Sequence, residues 1–167
     1  IEVQGRIYVT GGAIALTKTY LKRTAVLDEH LWKFNELQDM NHARDAHGIV
    51  SWRDRYIIVV GSWHVDTSQS TCEMYDTRTN IWHPLGCVSE PTCAPGLVVI
   101  KDRYLYKIGG TTDICQIEVV DLHELGFLKG LKPSHVFIDS PVKDQSQNIP
   151  QWKTVKPCNR MGHRSTI

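Results

Sequence analysis

The amino-acid sequence predicts an all-β fold, an open arc of about three four-stranded β-propeller blades that remains an incomplete propeller. Short apolar runs rich in Val, Ile and Tyr are bounded by Gly, Asp, Asn and Pro, which is typical of strands. One strand pattern also repeats, as IYVTGG at 7–12, IIVVGS at 57–62 and LYKIGG at 105–110. A tryptophan follows each copy of this pattern.

Each repeat unit is predicted to contain four strands, which we name a, b, c and d in chain order. Strand b carries the IYVTGG-type segment, strand c ends in aspartate, and strand d begins at the tryptophan. The units cover about residues 1–45, 46–94 and 95–158, and residues 159–167 start the next blade. The first unit is expected to begin at strand b and to lack strand a. An insertion at about 122–150 separates strands c and d of the third unit. Gly and aromatic markers at this period are typical of propeller blades.

The glycines that end strand b are predicted to be structural: Gly11, Gly12, Gly61, Gly109 and Gly110. Glycine permits a positive φ and the close approach of a neighbouring segment. LYKIGG taken alone also fits the start of a phosphate-binding turn, but such a turn needs a helix directly after the glycines. TTDIC and another strand follow instead, so phosphate binding is disfavoured.

The aromatic markers are predicted to belong to the core. Trp32, Trp82 and Trp152 are expected to fill the space between adjacent blades, because large aromatic side chains contribute much buried area. Tyr75 and Asp76 end strand c of the second unit, and Asp76 is expected to bond the backbone of the turn that follows.

The order and spacing of these markers resemble the kelch repeat. The resemblance rests on the double glycines of strand b, Tyr75-Asp76, the Thr79-Asn80-x-Trp82 turn and Arg44 in the connection to the next blade. It covers about 2–167, except the insertion at 122–150. Three departures stand in the first two units: Ser62 replaces a glycine, Leu27-Asp28 replaces Tyr-Asp, and the loop before Trp32 is two residues shorter than the loop before Trp82.

Up-and-down connectivity places the b–c and d–a connections at one end of every blade, and loops on a rigid scaffold commonly carry function. Arg44, Trp63, His64 and Arg160 are the predicted protein-binding residues of these connections, since aromatic and arginine side chains are frequent interface anchors. The resemblance implies that partner proteins bind this face and that arginines of the d–a loops hold acidic groups. For Arg44 a structural role is favoured, and ligand contact is the alternative.

Other classes of site find little support in the sequence. The net charge is +1 and basic residues are scattered, so neither nucleic acid nor a membrane surface is expected as the partner. His83, Cys87 and Cys93 have superficial metal-ligand spacing, but no second ligand pair stands nearby. No catalytic motif occurs, so no catalytic residue, cofactor or metal is predicted.

The sequence therefore predicts a non-catalytic protein-binding scaffold, cytoplasmic and associated with a cytoskeletal or other large assembly. The five cysteines, odd in number and without CxxC, fit a reducing compartment. As the resemblance allows, one alternative is the substrate-recognition module of a cullin-type ubiquitin ligase adaptor, with BTB and BACK regions upstream. A second alternative is an oxidase, with copper held by Tyr, His and Cys. The remaining blades are expected in a longer parent chain, since the first residue is Ile, or in a partner.

Overall fold

A computed structural model describes residues 1–63, 69–110, 116–125 and 151–155. These residues form three four-stranded antiparallel sheets and one two-stranded hairpin, and no α-helix occurs among them. The predicted all-β class is confirmed, and the three sheets are consistent with an arc of propeller blades in which no sheet closes on itself.

Each blade is an up-and-down antiparallel sheet, in which strands a, b, c and d are neighbours in that order. Blade 1 contains β1 (Glu2–Val3), β2 (Arg6–Thr10), β5 (Thr24–Asp28) and β6 (Lys33–Glu36), and its b–c connection holds the hairpin β3 (Ala13–Ile14) and β4 (Thr19–Tyr20). Blade 2 contains β7 (Gly48–Trp52), β8 (Tyr56–Val60), β9 (Thr71–Asp76) and β10 (Ile81–Cys87). Blade 3 contains β11 (Gly96–Ile100), β12 (Tyr104–Ile108), β13 (Ile117–Asp121) and β14 (Lys153–Val155).

Blade 1 has a strand a, which corrects the expectation that it is missing. The two-residue strand β1 pairs with β2 through Glu2 opposite Ile7 and Val3 opposite Arg6. Val3 is buried, so even this short strand contributes to the core. The sequence did not reveal it because two residues are too few to show the apolar pattern of strand a.

The core consists of two layers, one at each junction between blades. Successive residues of a strand point to opposite faces, so Ile57 and Val59 of β8 pack towards blade 1 while Ile58 and Val60 pack towards blade 3. All four are fully buried. Burial on both faces explains why β8 is a continuous apolar run rather than an alternating one.

The tryptophan markers differ in burial between blades. Trp82 is 4% exposed at the junction of blades 1 and 2, and its Nε1–H donates to Thr24 Oγ1 at 3.0 Å and to the Gln38 carbonyl at 3.0 Å. Trp152 packs against the core layer between blades 2 and 3. Trp32 is 81% exposed, so the prediction that it fills an inter-blade space is wrong.

The position of the tryptophan within the c–d turn is the physical reason, because the turns of blades 1 and 2 have equal length: residues 29–32 and 77–80. Trp82 pairs with Tyr75 in blade 2, whereas Leu27 of blade 1 pairs with Phe34. Phe34 therefore occupies the register position of Trp82, and Trp32 lies in the turn with a positive φ of 48°. Trp32 stands two residues closer to the strand-c aspartate than Trp82 does, so it takes the turn position that Asn80 has in blade 2.

Candidate protein-binding face

The b–c and d–a connections lie together at one end of the blades. We call the surface formed by residues 11–23, 40–47, 61–63 and 87–95 the loop face. Backbone hydrogen bonds join its segments across blades: Gly12 N–H donates to the Arg44 carbonyl at 2.7 Å, and Ser62 N–H donates to the Thr92 carbonyl at 3.0 Å. The connections are therefore fixed to each other as well as to their strands.

Gly11 and Gly61 show why the loop face needs glycine at the end of strand b. Both have positive φ, 63° and 76°. A Cβ at Gly11 would lie 2.3 Å from the Arg44 carbonyl oxygen, and one at Gly61 would lie 2.3 Å from the Thr92 carbonyl oxygen. The d–a connection that leads from the same blade to the next one thus packs directly on the glycine backbone, which is a structural role.

Two large apolar side chains protrude from the loop face. Trp63 is 57% exposed although its backbone is held, because its N–H donates to the Asp45 carbonyl at 2.9 Å. Leu16 lies between β3 and β4 and is 98% exposed, with Ile14 of the same hairpin also exposed. Sequence reasoning identified Trp63 but missed Leu16. The signal for Leu16 was an apolar residue directly before the polar turn TKT, in the b–c connection rather than in a strand of the blade.

Arg44 does not belong to this exposed set, which corrects its place among the predicted protein-binding residues. Its side chain is fully buried, and Nη2 lies 2.9 Å from Oε1 of Glu73. Nη1 donates to the carbonyls of Gly61 at 3.0 Å and Thr71 at 2.9 Å. The structure thus gives Arg44 the structural role that the sequence favoured over ligand contact.

Glu73 is equally well supplied with donors, which makes the buried ion pair tenable. Its Oε2 accepts from the backbone N–H of Asn41 at 2.8 Å and from Asn41 Nδ2 at 2.7 Å. Its Oε1 accepts from His42 N–H at 3.2 Å. Because these donors lie in the d–a connection of blade 1 and Glu73 lies in blade 2, the carboxylate holds the loop against the next blade.

A second buried ion pair occupies the equivalent place between blades 2 and 3. Glu118 is fully buried, accepts from Ser89 N–H at 2.9 Å, and pairs with Lys107 Nζ at 3.2 Å. Glu73 and Glu118 have the same register, since they face Val59 and Lys107 at matching positions of strand b. Here the cation comes from strand b.

The residue that replaces Arg44 at this second junction is Thr92. Both residues present their carbonyl oxygens to the strand-b glycine of their own junction, Gly11 for Arg44 and Gly61 for Thr92. The second junction therefore has no cation in its loop at the position of Arg44. Lys107 of strand b pairs with the buried glutamate there instead.

His47 lies close to the first ion pair without joining it. Its Nε2 is 2.9 Å from Thr10 Oγ1. Burial, reinforced by the positive charge of Arg44, lowers the pKa of His47 to about 4. The imidazole is neutral at physiological pH, so it acts as a packing and hydrogen-bonding group at this junction.

The three residues with superficial metal spacing do not form a site in the part of the chain that the structure describes. Cys93 is buried and Cys87 is exposed, and burial lowers the pKa of His83. Among the described residues no group of three His, Cys, Asp or Glu side chains is arranged to hold a metal ion. Of the predicted binding residues, His64 and Arg160 lie outside the described residues, as do most of the predicted insertion and residues 156–167.

The sheets and the glycine-bounded connections define the architectural class, an all-β repeat protein that forms an arc of four-stranded blades. No family model matches the chain. It is similar to a protein of Arabidopsis thaliana described as "Putative F-box/kelch-repeat protein", with 26% identity over 167 residues. The alignment covers 96% of this chain and 42% of that protein, so the chain spans less than half of its relative. This similarity supports kelch-like repeats.

The same described residues contain no helix of the length and apolar character needed to cross a membrane.

Proposed function

We propose that this chain is a non-catalytic protein-interaction module with kelch-like repeats, and that partner proteins bind its loop face. The observation that carries the proposal is the exposure of Trp63 on a connection whose backbone is bonded to its neighbours. A large aromatic side chain on a rigid surface is a typical interface anchor, because little conformational entropy is lost when it is buried.

Arg44 has an indirect part in this proposal. It is a positioning residue, since its guanidinium and its Glu73 partner fix the segment 40–47, and Asp45 of that segment accepts from the backbone of Trp63. Asp45 N–H in turn donates to Ser62 Oγ at 3.3 Å. The ion pair thereby orders the residues that present Trp63, without contacting the partner.

A second candidate function is the substrate-recognition module of a cullin-type ubiquitin ligase adaptor. The observation that favours it is the F-box in the printed name of the Arabidopsis relative. In that case the loop face receives the substrate, and the ligase subunits bind a different part of the parent protein. Association with a cytoskeletal assembly, which the sequence predicted, is not supported by this relative.

The test compares proteins that co-purify with the full-length parent protein and with two variants. Trp63→Ala removes the anchor on the loop face, and Ile81→Ala removes a similarly exposed apolar side chain at the opposite end of blade 2. We expect specific partners to be reduced at least about tenfold by Trp63→Ala, the scale of an interface hot spot, and to be retained by Ile81→Ala. Partners recovered equally with both variants would contradict a loop-face site. Ligase subunits that remain bound to Trp63→Ala while other proteins are lost would favour the second candidate.

A further inference from the structure

Strand c ends in an aspartate in all three blades: Asp28, Asp76 and Asp121. Each of these carboxylates accepts a hydrogen bond from the backbone two residues further on, at 3.1 Å in blade 1, 3.0 Å in blade 2 and 3.0 Å in blade 3. These aspartates lie at the end of the blades opposite the loop face. They have the same position and the same turn in each blade, which makes them directly comparable.

In blades 2 and 3 the aspartate is bound by a guanidinium from the chain itself. Arg55 donates to both oxygens of Asp76, through Nε at 2.9 Å and Nη2 at 2.6 Å. Arg103 donates to both oxygens of Asp121 in the same way, with distances from 2.6 to 3.0 Å. In both blades the arginine is the last residue of the a–b turn. Each arginine thus forms a bidentate pair with its aspartate, a geometry that lysine cannot provide.

Blade 1 lacks this arginine. Its a–b turn is one residue shorter, consists of Gln4 and Gly5, and places Gly5 directly before strand b. A Cβ built on Gly5 would meet nothing within 4 Å. A cavity of about 290 Å³ lies at this place, and Asp28, Glu29, His30 and Asn35 line it together with Gly5 and Arg6.

The charges in the cavity favour a cation. Asp28 and Glu29 contribute two carboxylates, and the pKa of Asp28 is lowered chiefly by its hydrogen bond from the Leu31 backbone. Arg6 lies in the lining, with its guanidinium carbon 6.0 Å from the centre of the Tyr8 ring, and Lys33, the cross-strand partner of Asp28, is a second nearby cation. Within the described structure Arg6 forms no ion pair with Asp28, so the place that Arg55 and Arg103 fill in their own blades is open in blade 1.

We propose that this cavity binds the guanidinium of an arginine side chain from a partner polypeptide. The partner's arginine would occupy the position that Arg55 and Arg103 hold in blades 2 and 3, with its two N–H groups towards Asp28 and its charge further balanced by Glu29. The site lies on the face opposite the loop face, so it goes beyond the proposed function and does not depend on it.

The first experiment titrates the protein with N-acetyl-arginine methylamide and follows backbone amide signals by NMR. We expect saturable shifts confined to residues around Gly5 and His30. The lysine analogue should bind at least about threefold more weakly, since an ammonium group cannot form the bidentate hydrogen bonds of a guanidinium. The uncharged citrulline analogue should cause no shift. Equal binding of the lysine and arginine probes, or shifts spread over the acidic surface, would overturn the proposal and indicate general charge attraction only.

Variants locate the site and keep the test independent of folding. Asp28→Asn keeps the oxygen that accepts from the turn backbone but removes the charge, and should weaken arginine binding at least about fivefold. Gly5→Arg places a guanidinium beside Asp28 and should abolish binding, whereas Gly5→Ala, the control for the strain that any side chain meets at the φ of 72°, should retain it. Arg6→Gln removes a competing cation and should tighten it. Glu36→Gln, a control at an exposed carboxylate elsewhere in blade 1, should leave it unchanged. Unaltered binding in both Asp28→Asn and Gly5→Arg would refute the proposed site.

Discussion

The two junctions between blades each neutralise a buried glutamate, but with a cation from a different element. Each buries a strand-c glutamate that accepts from the preceding d–a connection, Glu73 at the first and Glu118 at the second. At the first junction the cation is Arg44, which belongs to the connection itself, and at the second it is Lys107, which belongs to the neighbouring strand of the same sheet. The fold therefore requires a paired carboxylate at this position but leaves open which element supplies the charge.

The difference matters for the loop face. Arg44 binds the carbonyls of Gly61 and Thr71 as well as Glu73, so it joins the connection of blade 1 to two strands of blade 2. Lys107 donates to Gln116 at 2.9 Å and to Glu118, both within blade 3. At the first junction both members of the ion pair bind the loop or belong to it, and at the second only the carboxylate contacts the loop.

The largest expected effect is that of Arg44→Ala. It leaves Glu73 buried without its cation, and breaking a buried ion pair costs about 3–5 kcal/mol of unfolding free energy. The control is Arg53→Ala, which removes an exposed ion pair with Asp102 and should cost less than about 1 kcal/mol. Urea unfolding of both variants measures the difference. Equal, small losses would mean that the guanidinium does not stabilise the first junction.

Trp82→Ala and Trp32→Ala compare the same repeat marker in two blades. Removing the buried Trp82 leaves a cavity and two unpaired acceptors, for an expected loss of about 3–4 kcal/mol. Removing Trp32, which is 81% exposed, should cost less than about 0.5 kcal/mol. Denaturant unfolding of the two variants side by side is the measurement. A loss above 1 kcal/mol for Trp32→Ala would indicate that it packs against something that the exposed turn does not show.

These two residues also show how far the sequence could lead. The period of the strand-b segments was enough to predict an all-β arc of blades, because glycine at the strand end is required by the close approach of a carbonyl oxygen. It could not place Trp32, since the two c–d turns have equal length while the tryptophans differ in position by two residues, which becomes visible only in the strand register. Nor could it decide between a surface and a buried Arg44, because the partner Glu73 becomes visible only when the strands are aligned in register. The cavity beside Asp28 is a similar case, as it arises where Gly5 stands directly before strand b in place of the arginine of the other blades.

A transplanted arginine tests whether the two junctions are interchangeable. Lys107→Val leaves Glu118 without its cation and should cost about 3 kcal/mol. Adding Thr92→Arg to that variant supplies the cation from the loop, as Arg44 does at the first junction, and should recover about 1–2 kcal/mol of the loss. Thr92→Arg alone is the matched control, and it should destabilise the protein because it places a second cation beside Lys107. If the double variant is no more stable than Lys107→Val, a cation from the loop cannot replace the strand lysine as the partner of Glu118.

The smallest expected effect concerns pH and is confined to the first junction. His47 precedes Gly48 there, whereas Pro95 precedes the corresponding Gly96 at the second junction, which therefore lacks an imidazole at this place. The pKa of His47 falls from 6.5 to about 4 on folding, chiefly through burial, so the unfolded chain binds a proton that the folded protein does not take up between these values. The stabilisation is fully present above pH 6.5 and is lost as the pH falls towards 4, with an expected size of about 1–2 kcal/mol. Urea unfolding of wild type and His47→Gln at pH 7.5 and 4.5 isolates this contribution, because the variant should lose less stability between the two pH values by that amount. Parallel losses in the two proteins would show that His47 becomes protonated without disturbing the junction.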